Sequence, residues 1–298
     1  MVVAVPVVDL RAQPHTTAQA GVHDPDEETQ LLYGERVRVM ESRDGWARVE
    51  AMEQAEYSHN ARWQGYPGWV PLQTLLPAVA VASPTAVVTS QWAKLWQDAY
   101  RTQIAPIQLP LGTMIRATDA GGRLWEVELA DGTFAWMGSE DAKSLEALAA
   151  LSPLERRKAL LNTAALLLGE PYLWGGRAPV TTSIHLPASG VDCSGLVNLA
   201  YRTVGMAIPR DAHEQYLRAK PIKALQPGDL IFLSERDNPR HVVHVMLYAG
   251  KGEVIEAPGT GLAVRRIAIA ERLGQSLDWI APGSVVDKQT VYFGSYLP

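Results

Sequence analysis

The chain has 298 residues, of which 47% are hydrophobic, so it is long enough for about two average domains with buried cores. Its 27 Lys and Arg residues against 32 Asp and Glu residues give a formal net charge of -5, which disfavours binding to nucleic acid or to an anionic membrane. The one cysteine, Cys193, excludes an intrachain disulfide and a cysteine-based zinc cluster.

No stretch of the sequence approaches the roughly 18 to 20 apolar residues that span a bilayer. The first residues are apolar but have no basic residue ahead of them, unlike a signal peptide. We therefore expect a soluble, cytoplasmic protein, with export as the alternative if an N-terminal segment has been removed.

Residues 30–140 show short alternating runs closed by Gly, Asp and Pro, which is typical of small antiparallel β barrels. The order strand, turn, Trp-led strand, turn, Trp-bearing strand occurs twice, first from Tyr33 to Val70 and again from Leu111 to Met137. This repetition predicts two tandem modules, residues 1–80 and 81–150, which resemble bacterial SH3-like domains. The linker is predicted between Pro77 and Pro84.

The pattern changes at Ser152, where Ser-Pro-Leu-Glu predicts a capping box and the start of a helix that ends at Gly169. A second helical pattern follows Cys193 and ends at Gly205. Strands are then predicted at Leu230 to Leu233, His241 to Ala249 and Val254 to Ala257. Residues 151–298 therefore read as an α+β catalytic domain.

Cys193 lies at the predicted start of the second helix, where unpaired backbone N–H groups and the positive end of the helix dipole stabilise a thiolate. The small residues Ser194 and Gly195 leave room for a substrate carbonyl, and neighbouring N–H groups could form an oxyanion site. The position favours a nucleophile. The structural alternative is a buried, inert thiol.

A cysteine hydrolase also needs a base, and spacing alone does not choose among the seven histidines. His241 and His244 share a predicted strand but differ by an odd number, so only one of them can face the cysteine. Glu256, on the following hairpin strand, is a candidate to orient His244; the alternative is a solvated strand glutamate.

Six motifs occur in the order found in NlpC-like cell-wall cysteine peptidases, and the chain resembles that family from Ser152 to about Ile280. The motifs are PYLWGG (171–176), DCSGL (192–196), PRDA (209–212), LQPGDL (225–230), HVMLYAG (244–250) and VIEAPG (254–259). With two SH3-like domains ahead of it, the chain looks like the γ-D-glutamyl-L-diamino-acid endopeptidases. The resemblance implies two small all-β SH3-like barrels followed by an α+β papain-like domain.

The resemblance also implies roles for individual residues. Cys193 matches the nucleophile and His244 the base, while Glu256 stands at the third catalytic position, where histidine is common. Tyr172 matches a tyrosine that supports the oxyanion, and Trp174 matches a wall of the substrate groove. Two further residues beside the nucleophile are expected to contact substrate: Asp192 and Ser194.

Specificity for a free amine would require acids that receive the substrate's ammonium group. By resemblance, Asp211 supplies one acid from the catalytic domain, while Glu35 and Tyr66 close the pocket from the first module. Glu28 is a rival to Glu35. The loop from Arg177 to Gly190, which contains His185, is longer than the family's turn, and no role is assigned to it.

The expected function is hydrolysis of the bond between γ-D-Glu and an L-diamino acid in peptidoglycan stem peptides with a free N-terminal L-Ala, as in muropeptide recycling. No metal or other cofactor is expected, and the sequence does not distinguish lysine from meso-diaminopimelate at the position after D-Glu. The runner-up is an acyltransferase or amidase on the same papain-like domain. A peptidoglycan-binding protein with a degenerate catalytic domain also stays open. A metal hydrolase using His241, His244 and Glu256 is disfavoured, because the two histidines face opposite ways.

Overall fold

The structure is a computed structural model that describes residues 1–15, 23–78, 83–182 and 188–298. The predicted module boundary at residues 80 and 81 lies outside this range, as does His185 of the long loop. None of the helices among the described residues is long and apolar enough to cross a membrane.

The first part of the chain forms a five-stranded antiparallel sheet with the order β3-β2-β6-β5-β4 and a small separate pair, β1 with β7. Strand β5 shows the alternation that builds this sheet, because Ala47, Val49 and Ala51 are buried in its core. The strands are Val2–Val3 (β1), Val7–Arg11 (β2), Glu27–Leu32 (β3), Val37–Arg43 (β4), Trp46–Glu56 (β5), Gln64–Pro71 (β6) and Leu75–Leu76 (β7).

A second sheet follows, with seven strands in the order β10-β9-β13-β12-β11-β8-β14. Its core includes Leu95, Val127 and Met137, which face inward from three neighbouring strands. The strands are Ala86–Val88 (β8), Trp92–Trp96 (β9), Ile104–Pro110 (β10), Met114–Asp119 (β11), Leu124–Glu128 (β12), Phe134–Gly138 (β13) and Ala142–Ser144 (β14).

The prediction of two strand-rich regions is confirmed. The described residues of these regions do not form closed barrels, however. Each sheet has two end strands that do not pair with one another. In the first sheet the reason is visible, because the free edge of β3 is used by the catalytic domain: the Gln30 N–H donates to the Gly175 carbonyl over 3.0 Å.

The C-terminal part combines short helices with an antiparallel sheet. Its strands differ in length and lie in the order β17-β23-β18-β19-β20-β21. The helices are Leu145–Ala149 (α1), Pro153–Leu166 (α2), Cys193–Arg202 (α3), Ala212–Arg218 (α4) and Ile269–Leu273 (α5). The strands are Arg177–Ala178 (β15), Gly190–Val191 (β16), Lys220–Pro221 (β17), Leu230–Glu235 (β18), Asn238–Gly250 (β19), Glu253–Glu256 (β20), Arg265–Ala268 (β21), Val285–Val286 (β22) and Gln289–Ser295 (β23).

The two predicted helices of this domain are confirmed. Helix α2 begins with the expected capping box, in which the Ser152 hydroxyl accepts from the Glu155 N–H and the Glu155 carboxylate accepts from the Ser152 N–H. Helix α3 is buried along its whole length and packs on strand β19 and helix α2. It therefore holds its first residue, Cys193, at the end of a helix that is packed along its whole length.

Two fully buried arginines attach the first sheet to the catalytic domain. The Arg210 Nε donates to the Thr29 hydroxyl over 2.6 Å, and an Arg177 Nη donates to the Gln30 carbonyl over 2.8 Å. Because a buried guanidinium must place all its donors, these contacts fix the position of strand β3 against the start of α3.

Candidate active site

Cys193 is 8% exposed and is the first residue of helix α3. The preceding residue, Asp192, caps the helix by accepting from the Gly195 N–H over 2.6 Å. Arg210 donates to both Asp192 oxygens, over 3.0 and 2.7 Å, and the Gly175 N–H donates to the same carboxylate. The Asp192 carboxylate thus accepts hydrogen bonds from several donors at once. This holds Cys193 in place at the start of helix α3.

The side chain of Ser194, which is predicted to contact substrate, takes part in this supporting network. Its hydroxyl donates to Asp192 over 3.1 Å and accepts from Arg210 over 2.9 Å, and the side chain is buried. Asp192 is likewise occupied by the helix cap and Arg210. In the structure, the side chains of Asp192 and Ser194 therefore lie beside Cys193 and orient the start of helix α3.

His244 lies on β19 and Glu256 on β20, and the His244 Nε2 lies 2.8 Å from a Glu256 oxygen. Since this contact occupies Nε2, the other ring nitrogen is free to serve the cysteine. Although burial opposes charge on the ring, Cys193 and Glu256 together raise the pKa of His244 to about 9. Burial works against ionisation of Glu256, but His244 and Arg272 outweigh it and lower the pKa of the carboxyl to about 2.

Two arginines that the sequence analysis did not single out also reach Glu256. An Arg265 Nη donates to Glu256 Oε1 over 2.8 Å, and the Arg272 Nε lies 2.9 Å from each of the two Glu256 oxygens. Both arginines are partly exposed, so in the sequence they resemble ordinary solvated residues. In the sequence, only the position of Arg265 links it to Glu256, because Arg265 lies on the next strand of the hairpin.

The other strand histidine, His241, is separated from this group. Half of its side chain is exposed, and its ring packs 5.0 Å from that of His213. The His213 Nδ1 accepts from the Val242 N–H. The sequence predicts that alternation puts His241 and His244 on opposite faces of the strand, but the pairing of β19 with β18 shifts register between Val242 and His244, so strict alternation does not hold there.

Tyr172 packs partly buried against the core beside the cysteine. Burial raises the pKa of its phenol, and the neighbouring charges of Asp192 and Cys193 act in the same direction. The hydroxyl therefore stays protonated and can act as a hydrogen-bond donor. Trp174 is 47% exposed and meets the ring of His23 edge to face at 5.2 Å, so it presents an open apolar surface.

A second cluster of polar groups forms where the first sheet meets helix α4. The Tyr66 hydroxyl lies 2.8 Å from an Asp211 oxygen and 3.3 Å from a Glu28 oxygen. Loss of surrounding water raises the pKa of Asp211 to about 7, with Glu214 and Asp192 adding to this and Arg210 opposing it. These three side chains lie together although they come from β3, β6 and the start of α4.

His59 borders the cluster. Its Nε2 lies 3.4 Å from the Glu28 oxygen and its Nδ1 lies 3.0 Å from an oxygen of the buried Glu56. Hydrogen bonds to Glu28 and Glu56 raise the pKa of His59 to about 10, so the ring is a cation shared by two carboxylates. The sequence analysis gave no reason to choose this histidine.

Glu35, which the sequence favours over Glu28, does not lie in that cluster. Its side chain is 1% exposed and pairs with Arg177 over 3.1 Å and with Arg202 over 3.4 Å. Gln54 donates to it as well. Burial opposes its charge, yet the two arginines keep the pKa of Glu35 low. Its charge is already balanced inside the protein, so it fastens the first sheet to the catalytic domain.

Comparison with known proteins agrees with this geometry. Residues 169–275 match the model of the NlpC/P60 family. A γ-D-glutamyl-L-lysine dipeptidyl-peptidase of Bacillus cereus is 29% identical over 81% of this chain and 70% of the relative, and one of Bacillus subtilis is 26% identical over 83% and 77%.

Among solved structures, an NlpC/P60 family protein of Bacillus cereus superposes with a TM-score of 0.78 and 23% identity. The match covers 100% of this chain and 99% of that one, so the two proteins share the fold that the described residues form. The chain is therefore a cysteine peptidase with an NlpC/P60 catalytic domain.

Proposed function

We propose that the protein hydrolyses the bond between γ-D-Glu and the following L-diamino acid in peptidoglycan stem peptides whose L-Ala has a free amine. The observation that carries this proposal is the cluster of Glu28, Tyr66 and Asp211. The names of the two Bacillus relatives support cleavage of the same type of bond and release of a dipeptide.

The cluster has more acceptors than donors. The single phenolic proton of Tyr66 can serve only one of the two carboxylates that lie within reach of its oxygen. The His59 cation is divided between Glu28 and Glu56, so it leaves Glu28 with part of its negative charge. An ammonium group supplies three donors and a positive charge, which is what this cluster lacks.

The cluster is tied to the nucleophile through one side chain. Arg210 donates to Asp192 at the start of α3, and its other Nη lies 3.6 Å from an oxygen of Asp211. Because Arg210 is fully buried, the distance between amine site and cysteine is fixed. A substrate anchored by its terminal amine would present one particular carbonyl to Cys193, which favours release of a dipeptide of set length.

The reaction then proceeds in two steps. The Cys193 thiolate attacks the γ-carbonyl carbon of D-Glu, and Tyr172 with the N–H groups at the start of α3 stabilises the oxyanion. His244 gives its proton to the departing amine of the diamino acid, leaving a thioester. His244 next takes a proton from water, the resulting hydroxide attacks the thioester, and L-Ala-γ-D-Glu is released with the Cys193 thiolate and the protonated His244 restored.

Further proposals concern organisation and place of action. We propose that the two N-terminal sheets are SH3-like modules, that the domains divide near residues 80 and 150, and that the first module forms a wall of the substrate pocket. Action in the cytoplasm on released stem peptides remains a prediction of the sequence. Fractionation of the source organism with an antibody against the chain tests it.

The test of the function is incubation with L-Ala-γ-D-Glu-L-Lys and its meso-diaminopimelate counterpart, each free and N-acetylated, with products identified by mass. We expect L-Ala-γ-D-Glu and the free diamino acid from the free peptides, and little product from the acetylated ones. Equal cleavage of acetylated and free peptides would overturn the amine-site assignment. A product in which the dipeptide is joined to an added amine would instead indicate an acyltransferase.

A further inference from the structure

The Glu256 carboxylate is completely buried, and both of its oxygens have hydrogen-bonding partners. His244 Nε2 lies 2.8 Å from Oε2, and Arg272 Nε lies 2.9 Å from both oxygens. Arg265 donates to Oε1 from Nε over 3.0 Å and from Nη2 over 2.8 Å. A carboxylate offers about four lone-pair positions, so Glu256 has no capacity left for water or for another conformation.

The two arginines come from separate elements that close over β20. Arg265 is the direct cross-strand partner of Glu256 on β21, and Arg272 lies on helix α5. The neighbouring Arg266 points the other way, as strand alternation requires, and pairs with Glu253 over 2.7 Å. The sequence therefore supplies a matched arginine that is close in the chain but absent from the Glu256 cluster.

We propose that Arg265 and Arg272 are positioning residues for the catalytic imidazole: they lock the Glu256 carboxylate against His244 and offset its charge. The proposal rests on the proposed peptidase mechanism. An unbalanced buried glutamate would hold the His244 proton too firmly for it to be passed to the leaving amine. Two cations on the far side of the carboxylate keep its orientation while weakening its pull on that proton.

The ionisable groups around this unit come from several elements. Cys193 of α3 faces His244, with Tyr172 and Asp192 beside the cysteine. Glu256 of β20, Arg265 of β21 and Arg272 of α5 complete the set. Removing one arginine makes the surroundings of His244 more negative. The pH at which His244 loses its proton should then rise by about one unit.

The first experiment needs no substrate, because Cys193 is the only cysteine in the chain. The rate of its alkylation by iodoacetamide is measured against pH for the wild type, Arg265→Gln and Arg272→Gln, with Arg266→Gln as control. The upper inflection reports loss of the His244 proton. We expect it to move up by about one unit in the first two variants and to stay in place in the control.

An upper inflection unchanged in both Arg265→Gln and Arg272→Gln would overturn the proposal. Arg272→Lys separates charge from geometry: we expect a nearly normal inflection but a lower kcat, because lysine keeps the charge without the forked contact. The alkylation result stands even if the muropeptide assay shows no turnover, so failure of the proposed substrate is distinguishable from failure of this inference.

The second experiment exchanges Glu256 for histidine, the residue common at this position in the family that the sequence resembles. Glu256→His alone should lose activity about 100-fold or more, because two arginines would face a group that cannot neutralise them. Adding Arg265→Gln and Arg272→Gln should recover at least about tenfold. A triple variant no more active than Glu256→His, with thermal unfolding at the same temperature, would contradict the proposal.

Discussion

Tyr66 and Asp211 lie 145 positions apart in the chain, yet the phenolic oxygen of one is 2.8 Å from a carboxylate oxygen of the other. The contact joins strand β6 of the first sheet to the residue that precedes helix α4. A nearby contact strengthens the junction, because the Ser58 N–H donates to Glu214 over 3.0 Å. The first sheet is therefore joined directly to the catalytic domain at the start of helix α4.

The first prediction concerns recognition of the amine. We expect Glu28→Gln or Asp211→Asn to lower kcat/KM for the free tripeptide by about 30-fold or more, because an ammonium loses a charged partner worth about 2 kcal/mol or more. For the N-acetylated peptide the same substitutions should have little effect. Steady-state kinetics on both substrates give the ratio that tests this.

Glu35→Gln is the matched control, since Glu35 is the glutamate that the sequence favours for the pocket, whereas in the structure it pairs with Arg177. Its ratio of kcat/KM for free over acetylated peptide should equal that of the wild type. If Glu35→Gln abolishes the preference for the free amine and Glu28→Gln keeps it, the pocket has been assigned to the wrong glutamate.

The second prediction is a pH dependence of KM. The Asp211 pKa is raised to about 7, so the carboxyl is largely neutral below that pH and charged above it. The substrate's α-amine titrates near 7.7–8.0. KM for the free peptide should therefore be lowest between about pH 7 and 8 and rise on both sides.

The Tyr66→Phe variant tests the direction in which this pH profile of KM should move. The Tyr66 hydroxyl donates to Asp211 and so lowers the pKa of that carboxyl. Without the donor, the pKa should rise, and the acid side of the KM profile should move to higher pH. A shift to lower pH, or an identical profile for the acetylated peptide, would show that Asp211 is not the titrating group.

The third prediction concerns stability. Glu35→Gln should destabilise the protein by about 3–5 kcal/mol, because it leaves the buried Arg177 guanidinium without its counter-charge and leaves Arg202 paired with Glu53 alone. Thermal unfolding followed by circular dichroism measures this. Glu50→Gln, which removes a pair with the exposed Arg38, should cost less than about 1 kcal/mol.

The sign of the acid dependence follows from the same group. The folded-state pKa of Glu35 lies below its usual value, so its stabilisation is present above the ordinary glutamate pKa and is lost as pH falls through the folded one. The difference in unfolding temperature between wild type and Glu35→Gln should therefore shrink on acidification. A difference that grows towards low pH would contradict the ion-pair explanation.

The sequence could predict what depends on local patterns. The capping box at Ser152 and the helix start at Cys193 both follow from residues within four positions of each other. These features need no knowledge of where distant segments lie.

What could not be predicted depends on segments distant in the sequence. Glu28 and Glu35 lie seven residues apart in the same region, and only the docking of β3 on the catalytic domain decides which of them lies near the Tyr66 hydroxyl that contacts Asp211. Arg272 likewise has no local pattern that links it to Glu256. Ser194 was expected to contact substrate because it adjoins Cys193, but the buried Arg210 takes up its hydroxyl.

The last prediction separates the two strand histidines. His244→Ala should remove measurable turnover, since the imidazole contacts Glu256 and faces Cys193 and no other described side chain replaces it there. His241→Ala should keep kcat within about threefold of wild type, because a half-exposed surface residue away from the reacting groups contributes little. Alkylation of Cys193 provides the independent measurement: in His244→Ala the inflection near pH 9 should disappear, while in His241→Ala it should persist. If His241→Ala loses the inflection and His244→Ala retains it, the base of the reaction is His241 and the Glu256 cluster serves only to hold the sheet.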